Sequence, residues 1–313
     1  ELFLSVIFSL VSFPYFKCST HFRTKWLVTI YLLQLFTGCA RDDLYRSEWQ
    51  TPSILSVNRL PARASFFPFE SEELALENDP RQSSRFVSLN GRWKFHYAIN
   101  PDDAPKRFWA RESKIKNWSE ISVPGSWELQ GFGVPIYLDE EYPFDPDPPR
   151  VPHNYNSIGS YFRTFTFPDA WIDQRVIIHF GSVRSAMVFW INGEEVGYAQ
   201  GSKLPHEFDI TDYVNRGENR VAVRVYRFSD ASYLEGQDTW RASGLEREVY
   251  LYARPTTQLE DFSIVGDLDA LYTTGLFTVS VKVAAMEKLE GSSLEASLSK
   301  QSENQPFLTW SKK

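Results

Sequence analysis

Cysteine is almost absent from this chain of 313 residues, in which the two cysteines, Cys18 and Cys39, both lie near the amino terminus. Beyond Cys39 the sequence therefore excludes a disulfide framework, a thiolate zinc site and a cysteine nucleophile. The five histidines show no HExxH or other metal-ligand spacing, which argues against a zinc hydrolase. Because no GxSxG motif is present, a hydrolase with a Ser-His-Asp triad is not indicated either.

Excess basic charge is also lacking, since the formal net charge is −7 at pH 7. Proteins that bind nucleic acid usually carry a basic stripe, so nucleic acid is excluded as the main partner. Neither a GxGxxG motif nor a phosphate-binding loop occurs, and no organic cofactor is indicated. Apolar residues make up 42% of the chain and aromatic residues 16%, which predicts a folded core rather than disorder.

Residues 1–39 are interpreted as an export segment that is not part of the fold. An apolar run at 26–36 follows Arg23 and Lys25 and ends in Thr37-Gly38-Cys39. The run is shorter than the roughly 20 residues that cross a bilayer as a helix, and its three parts are typical of a secretory signal. The ending resembles a bacterial lipoprotein signal, which predicts a periplasmic protein or one anchored to the membrane by a lipid on Cys39. A plain signal peptide with an incidental Cys39 is the alternative.

After the signal, residues 40–84 read as an irregular arm that is rich in proline. One short, acidic helix is predicted at 70–78, and the aromatic residues Phe66, Phe67 and Phe69 are expected to attach the arm to a neighbouring surface. The arm is therefore expected to be held by side-chain packing rather than by long regular elements.

Residues 85–254 consist of short stretches in which apolar and polar residues alternate, as in half-buried strands. Asn192-Gly193 is a strong hairpin signal because both residues accept the positive φ of a type I′ turn. No βαβ alternation appears, so the fold class is predicted to be all-β, with a jelly-roll β-sandwich at 85–254. The pattern of residues 255–313 predicts the first strands of an immunoglobulin-like sandwich. This sandwich is expected to be incomplete, because such a domain needs about 100 residues.

Aromatic and acidic residues concentrate in two loop regions, 125–156 and 229–247. Aromatic faces can pack on the C–H face of a sugar while carboxylates accept its hydroxyl protons, so these loops are the candidate binding surface. The alternative is a rigid rim of ion pairs, such as Asp238 with Arg241, and hydrogen-bonding roles for His153 and His206. The candidate side chains are Trp127, Tyr137, Asp139, Glu140, Glu141, Tyr142, Asp145, Asp147, His153, Tyr155, Asp230, Tyr233, Glu235, Asp238, Trp240, Arg241 and Glu246.

Several long motifs occur in one order along the chain. They are Leu89-Asn90-Gly91-Arg92-Trp93-Lys94-Phe95, Val123-Pro124-Gly125-Ser126-Trp127-Glu128, Gly201-Ser202-Lys203-Leu204-Pro205, and the run from Ser229 to Arg241. Together they resemble the sugar-binding domain of family 2 glycoside hydrolases, and the last run is similar to that of the large β-galactosidases. The resemblance covers about 86–262.

The resemblance implies a retaining β-galactosidase whose two catalytic glutamates lie on a (β/α)8 barrel beyond this chain, so no catalytic residue is expected here. It implies that Asp230 binds galactose hydroxyls and a sodium ion, and that magnesium is a further cofactor. Asp139 falls where the family commonly has an asparagine that contacts the sugar. An ionised Asp139 only accepts hydrogen bonds, whereas an amide both donates and accepts. If Asp139 and Asp230 converge, their negative charges repel unless a cation such as sodium lies between them. The alternative is that Asp139 points elsewhere and the substrate preference has shifted.

The predicted function is the non-catalytic amino-terminal portion of a β-galactosidase with a galactoside as its ligand. A stand-alone lectin is one alternative, and a β-glucuronidase or β-mannosidase of the same family is another. Homo-oligomerisation of the full-length parent is left open by the sequence.

Overall fold

The computed structural model describes residues 4–11, 48–138, 141–236, 238–285, 293–300 and 308–312. Its contacts divide the chain into two compact units, one formed by 1–42 with 285–313 and the other by Asp43–Ala284. Within the predicted export segment only the strand Leu4–Val11 is described, so Cys39 lies outside the described residues. None of the helices in the described ranges has the length and apolar character needed to cross a membrane.

Most regular elements of the described residues are β-strands. In chain order the strands are β1 (Leu4–Val11), β2 (Ser56–Val57), β3 (Phe86–Ser88), β4 (Gly91–Ala98), β5 (Ser119–Val123), β6 (Gly125–Ser126), β7 (Ile158–Phe167), β8 (Arg175–Phe180), β9 (Val183–Arg184), β10 (Ala186–Ile191), β11 (Glu194–Gln200), β12 (His206–Asp209), β13 (Gly217–Tyr226), β14 (Gly244–Leu245), β15 (Val249–Arg254), β16 (Gln258–Leu268), β17 (Gly275–Ala284), β18 (Ser293–Lys300) and β19 (Leu308–Lys312).

The helical elements are short. The α-helix α1 spans Glu72–Glu77, with the Ser71 side chain accepting from the backbone N–H of Leu74 at its start and Asn78 in the left-handed region at its end. Single 3₁₀ turns occupy Glu48–Gln50, Pro80–Gln82, Pro101–Asp103, Glu128–Gln130, Asp169–Trp171, Thr211–Tyr213 and Asp230–Tyr233. The prediction of one short helix in the arm is confirmed.

The unit Asp43–Ala284 contains a seven-stranded antiparallel sheet with the order β2-β11-β10-β13-β7-β4-β5. A four-stranded sheet of order β12-β8-β15-β3 packs against it, and the short strands β6-β14-β9 form a third sheet. Two sheets face each other across a common core, so the predicted all-β sandwich is confirmed. Strands β16 and β17 form an antiparallel hairpin in the same unit. In the other unit β18 lies between β1 and β19.

The core lies between the two large sheets. Trp93, Phe95 and Phe189 of the larger sheet belong to one buried apolar cluster with Phe180 and Phe208 of the smaller sheet. The Phe189 and Phe208 rings pack edge to face with their centroids 4.7 Å apart. The alternation of apolar and polar residues in β4 places Trp93 and Phe95 on the buried face, as the sequence predicts.

Strand β10 is buried on both faces. Its residues are apolar without alternation, which is typical of a fully covered strand. Val188 and Trp190 belong to a second apolar cluster on the outer face of the large sheet, where Trp190 stacks on Trp109 at 4.4 Å. At the end of β10, Asn192 (φ 52°) and Gly193 (φ 91°) form the turn into β11, so the predicted hairpin is confirmed.

The arm is attached by packing and by a buried ion pair. Phe67 packs against Tyr252 with ring centroids 6.0 Å apart, and Phe66 contacts Phe262 at 5.4 Å. Arg63 donates two hydrogen bonds of 2.9 Å to the Glu207 carboxylate. The expected attachment of the arm through Phe66 and Phe67 is therefore present in the structure.

Candidate functional site

The two loop regions 125–156 and 229–247, which we call the rim loops, lie side by side. The backbone N–H of Arg241 donates to the carbonyl of Ile136 at 3.0 Å. Across the same boundary, the Tyr142 hydroxyl donates to the Tyr233 carbonyl at 3.1 Å, and the Tyr233 hydroxyl donates to the Arg150 carbonyl at 2.5 Å. Residues that are far apart in the sequence therefore form one continuous surface.

A buried asparagine fixes the second rim loop to the end of the first. The Asn156 amide donates to the carbonyl of Phe228 at 2.9 Å and accepts from the Phe228 N–H at 2.9 Å. This pair of bonds satisfies both backbone groups of a residue just beyond β13. The backbone two residues before Asp230 is consequently held in place from the first rim loop.

Asp230 begins the 3₁₀ turn Asp230–Tyr233, and two serines determine where that turn starts. Ser229 and Ser232 form a reciprocal capping box, in which the Ser229 N–H donates to the Ser232 hydroxyl at 3.0 Å. The Ser185 hydroxyl donates to that of Ser229 at 2.9 Å. The local sequence Ser-Asp-Ala-Ser thus sets the backbone of Asp230 through short-range hydrogen bonds.

The Asp230 carboxylate is buried and accepts no hydrogen bond from the part of the chain that the structure describes. The residue is 7% exposed, and no described residue donates a hydrogen bond to either carboxylate oxygen. Burial raises the pKa of Asp230, and the negative charge of Glu235 acts in the same direction. The Gln200 amide and the Ala231 backbone N–H oppose this by favouring the charged form. A buried carboxylate without donors is costly, and such groups concentrate at binding sites.

Three buried arginines surround a small cleft that Ser232 of the Asp230–Tyr233 turn also lines. Arg184, Arg227 and Arg241 line it together with Glu235. The space inside is about 10 Å³, which is room for about one water molecule and too little for a sugar. Burial lowers the pKa of Arg184 and of Arg241. Arg227 lies 3.4 Å from Glu128, so this cleft is an internal polar cluster beside the rim and not itself a sugar pocket.

The aromatic candidates divide into core and surface residues. Trp127 is fully buried, and its indole N–H donates to the hydroxyl of Tyr161, so it belongs to the core. Tyr137 and Trp240 are 54% and 60% exposed, with ring centroids 5.0 Å apart. These two rings, one from each rim loop, form an open aromatic surface.

Among the charged candidates, Asp147 pairs with Arg150 at 2.8 Å on the surface, and His153 lies 3.6 Å from Asp102. Both pairs are exposed. The first is an ion pair of the kind that the alternative interpretation names, whereas the separation of His153 and Asp102 is too long for a hydrogen bond.

The same interpretation named an ion pair between Asp238 and Arg241, and in the described part of the chain that pair is not formed. Arg241 donates instead to the carbonyls of Ser232 and Glu141, at 3.4 and 3.3 Å. Asp139 and Glu140 lie outside the described residues, so the prediction of sugar contact by Asp139 stays a prediction.

No group of three or more His, Cys, Asp or Glu side chains within the described ranges is arranged to hold a metal ion. The buried, unpartnered carboxylate of Asp230 has the hard oxygen donors that suit sodium, but it is a single ligand. Sodium and magnesium therefore stay predictions from the resemblance.

Comparison with known proteins places this sandwich in a class of glycosidase domains. The family model described as "Glycosyl hydrolases family 2, sugar binding domain" matches residues 86–255, which is more than half of the chain. The chain belongs to glycoside hydrolase family 2.

Among relatives, a protein of Priestia megaterium named Beta-galactosidase is 47% identical over 241 residues, which are 75% of this chain and 23% of that protein. Another, from Halalkalibacterium halodurans and also named Beta-galactosidase, is 41% identical over 76% of this chain and 24% of its own length. The chain thus spans about a quarter of the length of these relatives. A solved β-glucuronidase from an uncultured Clostridium species is 27% identical, with a TM-score of 0.49, over 72% of this chain and 36% of its own.

The sequence missed several residues that shape the site. Arg184 and Arg227 lie outside the two loop regions that concentrate rings and acids, and Gln200 ends a strand that shows only apolar alternation. The one signal in the sequence was Arg184, which stands in a stretch of otherwise small and apolar residues. Such a stretch is expected to be buried, and an unpaired arginine is rarely buried.

Proposed function

We propose that this chain is the non-catalytic, sugar-binding portion of a retaining β-galactosidase that hydrolyses terminal β-galactosides. Support comes from relatives named Beta-galactosidase that are 47% and 41% identical. The sandwich would form one wall of the sugar pocket, and the catalytic carboxylates would lie on other polypeptide.

The observation that carries the proposal is the Asp230 carboxylate, which is buried in the second rim loop and receives no hydrogen bond from any described residue. Sugar hydroxyls are donors of the kind that this carboxylate lacks, so binding a galactose hydroxyl would offset the cost of its burial. The exposed rings of Tyr137 and Trp240, one from each rim loop, provide apolar surface for the C–H face of a sugar.

Asp230 would also supply one oxygen ligand to a sodium ion beside the sugar, with the other ligands provided by the sugar or by polypeptide outside this chain. The described residues offer no carboxylate cluster for magnesium.

Export and lipid attachment at Cys39 are part of the same proposal. A Cys39→Ser variant is expected to lose the incorporation of radiolabelled palmitate into the protein expressed in bacteria.

The first test uses this chain alone with 4-nitrophenyl β-galactoside as substrate. We expect no turnover, because both catalytic carboxylates would lie elsewhere; measurable hydrolysis would contradict the proposal. Calorimetric titration of the isolated chain with galactose then tests the lectin alternative. Micromolar binding would favour a stand-alone binding protein over a portion of a β-galactosidase.

The second test uses the longer gene product and the Asp230→Asn variant. Removing a hydrogen bond to a charged group costs about 1.5–3 kcal/mol, so kcat/KM for the galactoside should fall about 10- to 100-fold. Asp212→Asn, an exposed carboxylate in the turn Thr211–Tyr213, is the matched control and should retain wild-type activity. The assignment is refuted if Asp230→Asn is as active as Asp212→Asn. It is also refuted if the longer gene product prefers β-glucuronides or β-mannosides to β-galactosides.

A further inference from the structure

The small cleft beside the rim is lined by more positive than negative side chains. Arg184, Arg227 and Arg241 line it, and Glu235 supplies the carboxylate among its lining residues. Each of the three arginines is at most 7% exposed, so their charges lie almost entirely out of contact with water. Arginine is rarely buried to this extent unless a negative group compensates it. The cleft is therefore a place where additional negative charge is favoured.

The Glu235 carboxylate gives little of this compensation, because its hydrogen bonds go elsewhere. One of its oxygens accepts from the backbone N–H of Ser202 at 2.9 Å, and the other accepts from the Ser202 hydroxyl. Arg227 forms an ion pair with Glu128, at 3.4 Å. The other two arginines of the cleft form no ion pair with any residue that the structure describes. Two buried guanidinium charges are thus left without a carboxylate in direct contact.

The guanidinium groups of these two arginines also have few hydrogen-bond acceptors. Arg184 donates to the Glu235 carbonyl at 3.4 Å, and Arg241 donates to the carbonyls of Ser232 and Glu141 at 3.4 and 3.3 Å. Ordinary N–H···O bonds are shorter, at about 2.7–3.2 Å. Nη1 of Arg184 and Nε of Arg241 are buried and donate to no described residue. Both groups therefore have donors to offer to an anion.

The electrostatic environment of the two arginines agrees with this geometry. Burial lowers the pKa of Arg241, and the positive charge of Arg184 lowers it further, so the two groups repel each other. Burial lowers the pKa of Arg184 as well, although the negative charge of Glu246 opposes the shift. Glu246 itself pairs with Lys203 at 3.2 Å. An anion between the arginines would turn this repulsion into attraction.

The size of the cleft determines which anion fits. Its space of about 10 Å³ is that of about one water molecule. A chloride ion is only slightly larger than a water molecule, whereas a sulfate, a phosphate or a carboxylate side chain needs considerably more room. A spherical ion also accepts hydrogen bonds from every direction, which suits donors that come from three different residues.

We propose that this cleft binds one monatomic anion, such as chloride, between Arg184, Arg227 and Arg241. The ion accepts charge-assisted hydrogen bonds from the guanidinium groups and compensates their excess positive charge. Arg241 connects the two rim loops, because its backbone N–H donates to Ile136 and its guanidinium donates to Glu141. Binding of the ion is therefore expected to stabilise the junction of the rim loops. The proposal does not depend on the sugar-binding function proposed above.

Binding is tested on this chain by the line width of the chlorine-35 NMR signal of sodium chloride, which broadens when the ion exchanges with a protein site. We expect the wild type to broaden the signal and bromide to remove the broadening by competition. In Arg241→Gln the chloride affinity should fall about 10-fold or more, because a hydrogen bond to a charged group is lost. Arg81→Gln makes the same change in net charge at an exposed arginine and should behave like the wild type. Equal losses in the two variants would overturn the proposal.

A second variant covers the case that Arg241→Gln does not fold. A Cβ at Gly236 would collide with the Arg241 guanidinium, so Gly236→Ala displaces that group without changing the net charge. It should weaken chloride binding, whereas Gly275→Ala, whose Cβ meets no atom within 4 Å, should not. Broadening at the wild-type level in Gly236→Ala would overturn the proposal.

Urea unfolding at constant ionic strength then separates a monatomic anion from a carboxylate. Replacing sodium acetate by sodium chloride should raise the unfolding midpoint of the wild type and leave that of Arg241→Gln unchanged. The backbone amide hydrogen of Arg241 should also exchange more slowly in chloride, since it donates across the junction of the rim loops. Equal midpoints of the wild type in the two salts would overturn the proposal. Acetate that removes the chlorine-35 broadening as effectively as bromide would overturn the assignment to a monatomic ion.

Discussion

The ion pair that attaches the arm provides the sharpest stability prediction. Arg63 and Glu207 form two hydrogen bonds of 2.9 Å, and their side chains are only 12% and 10% exposed. Burial pushes the pKa of Glu207 up, but hydrogen bonds from His179 and Arg63 bring it down to about 2. The carboxylate is therefore charged in the folded protein at neutral pH, and it depends on its cationic partner.

The perturbation is Arg63→Met, which keeps most of the apolar stem and removes the charge. Removing one partner of a buried pair leaves an uncompensated charge and typically costs about 3–5 kcal/mol. Because Glu207 keeps a contact of 3.0 Å with His179, we expect the lower end of this range, about 3 kcal/mol in the free energy of unfolding.

The assay combines urea unfolding with hydrogen exchange. The amide of Leu60 donates to the Glu207 carbonyl at 2.8 Å, so its exchange should accelerate when the arm loosens. Arg81→Met is the matched control, because Arg81 makes a similar two-bond pair with Asp79 but is 77% exposed. That variant should leave the unfolding midpoint unchanged.

The double variant Arg63→Met with Glu207→Gln removes both charges and should be more stable than Arg63→Met alone. The reasoning is refuted if Arg63→Met is no more destabilising than Arg81→Met, or if neutralising Glu207 makes the loss larger.

Three further outcomes follow from other contacts. Asn156→Ala leaves two buried backbone groups beyond β13 unpaired and should cost about 2 kcal/mol or more by urea unfolding. Gly159→Ala places a Cβ 2.4 Å from the Trp127 ring and should cost about 1–3 kcal/mol, whereas Gly266→Ala, with no atom within 4 Å, should be close to neutral. Burial lowers the pKa of His206 from 6.5 to about 4, so the stability it contributes is present above pH 6.5 and is lost as the pH falls toward 4. Over that interval the free energy of unfolding should fall by about 3 kcal/mol more in the wild type than in His206→Gln, and parallel pH curves would contradict this assignment.

The strands were the most predictable part of the fold, because alternation is a local property of the sequence. Trp93 and Phe95 alternate with polar residues in the sequence, and both lie on the buried face of β4. The turn at Asn192-Gly193 was predictable for the same reason, since both residues accept positive φ without a long-range partner.

The site was predicted less completely, because burial depends on contacts that are distant in the sequence. Trp127 was a candidate for sugar stacking, but it packs against Phe95 in the core with ring centroids 6.0 Å apart. Nothing in its neighbouring residues distinguishes it from Trp240, which is exposed. The cluster of Arg184 with Arg241 joins residues more than fifty positions apart, so only the folded chain brings it together.

The pairing of the short strand β2 limits where the chain can be truncated at its amino-terminal side. It pairs with β11 at the outer boundary of the large sheet, where Ser56 faces Ala199, and the Asn58 amide donates to the Val196 carbonyl at 2.8 Å. A protein beginning after the arm would leave these main-chain groups without partners, as a template for strand addition by another molecule. Such a truncation is therefore expected to self-associate as its concentration rises.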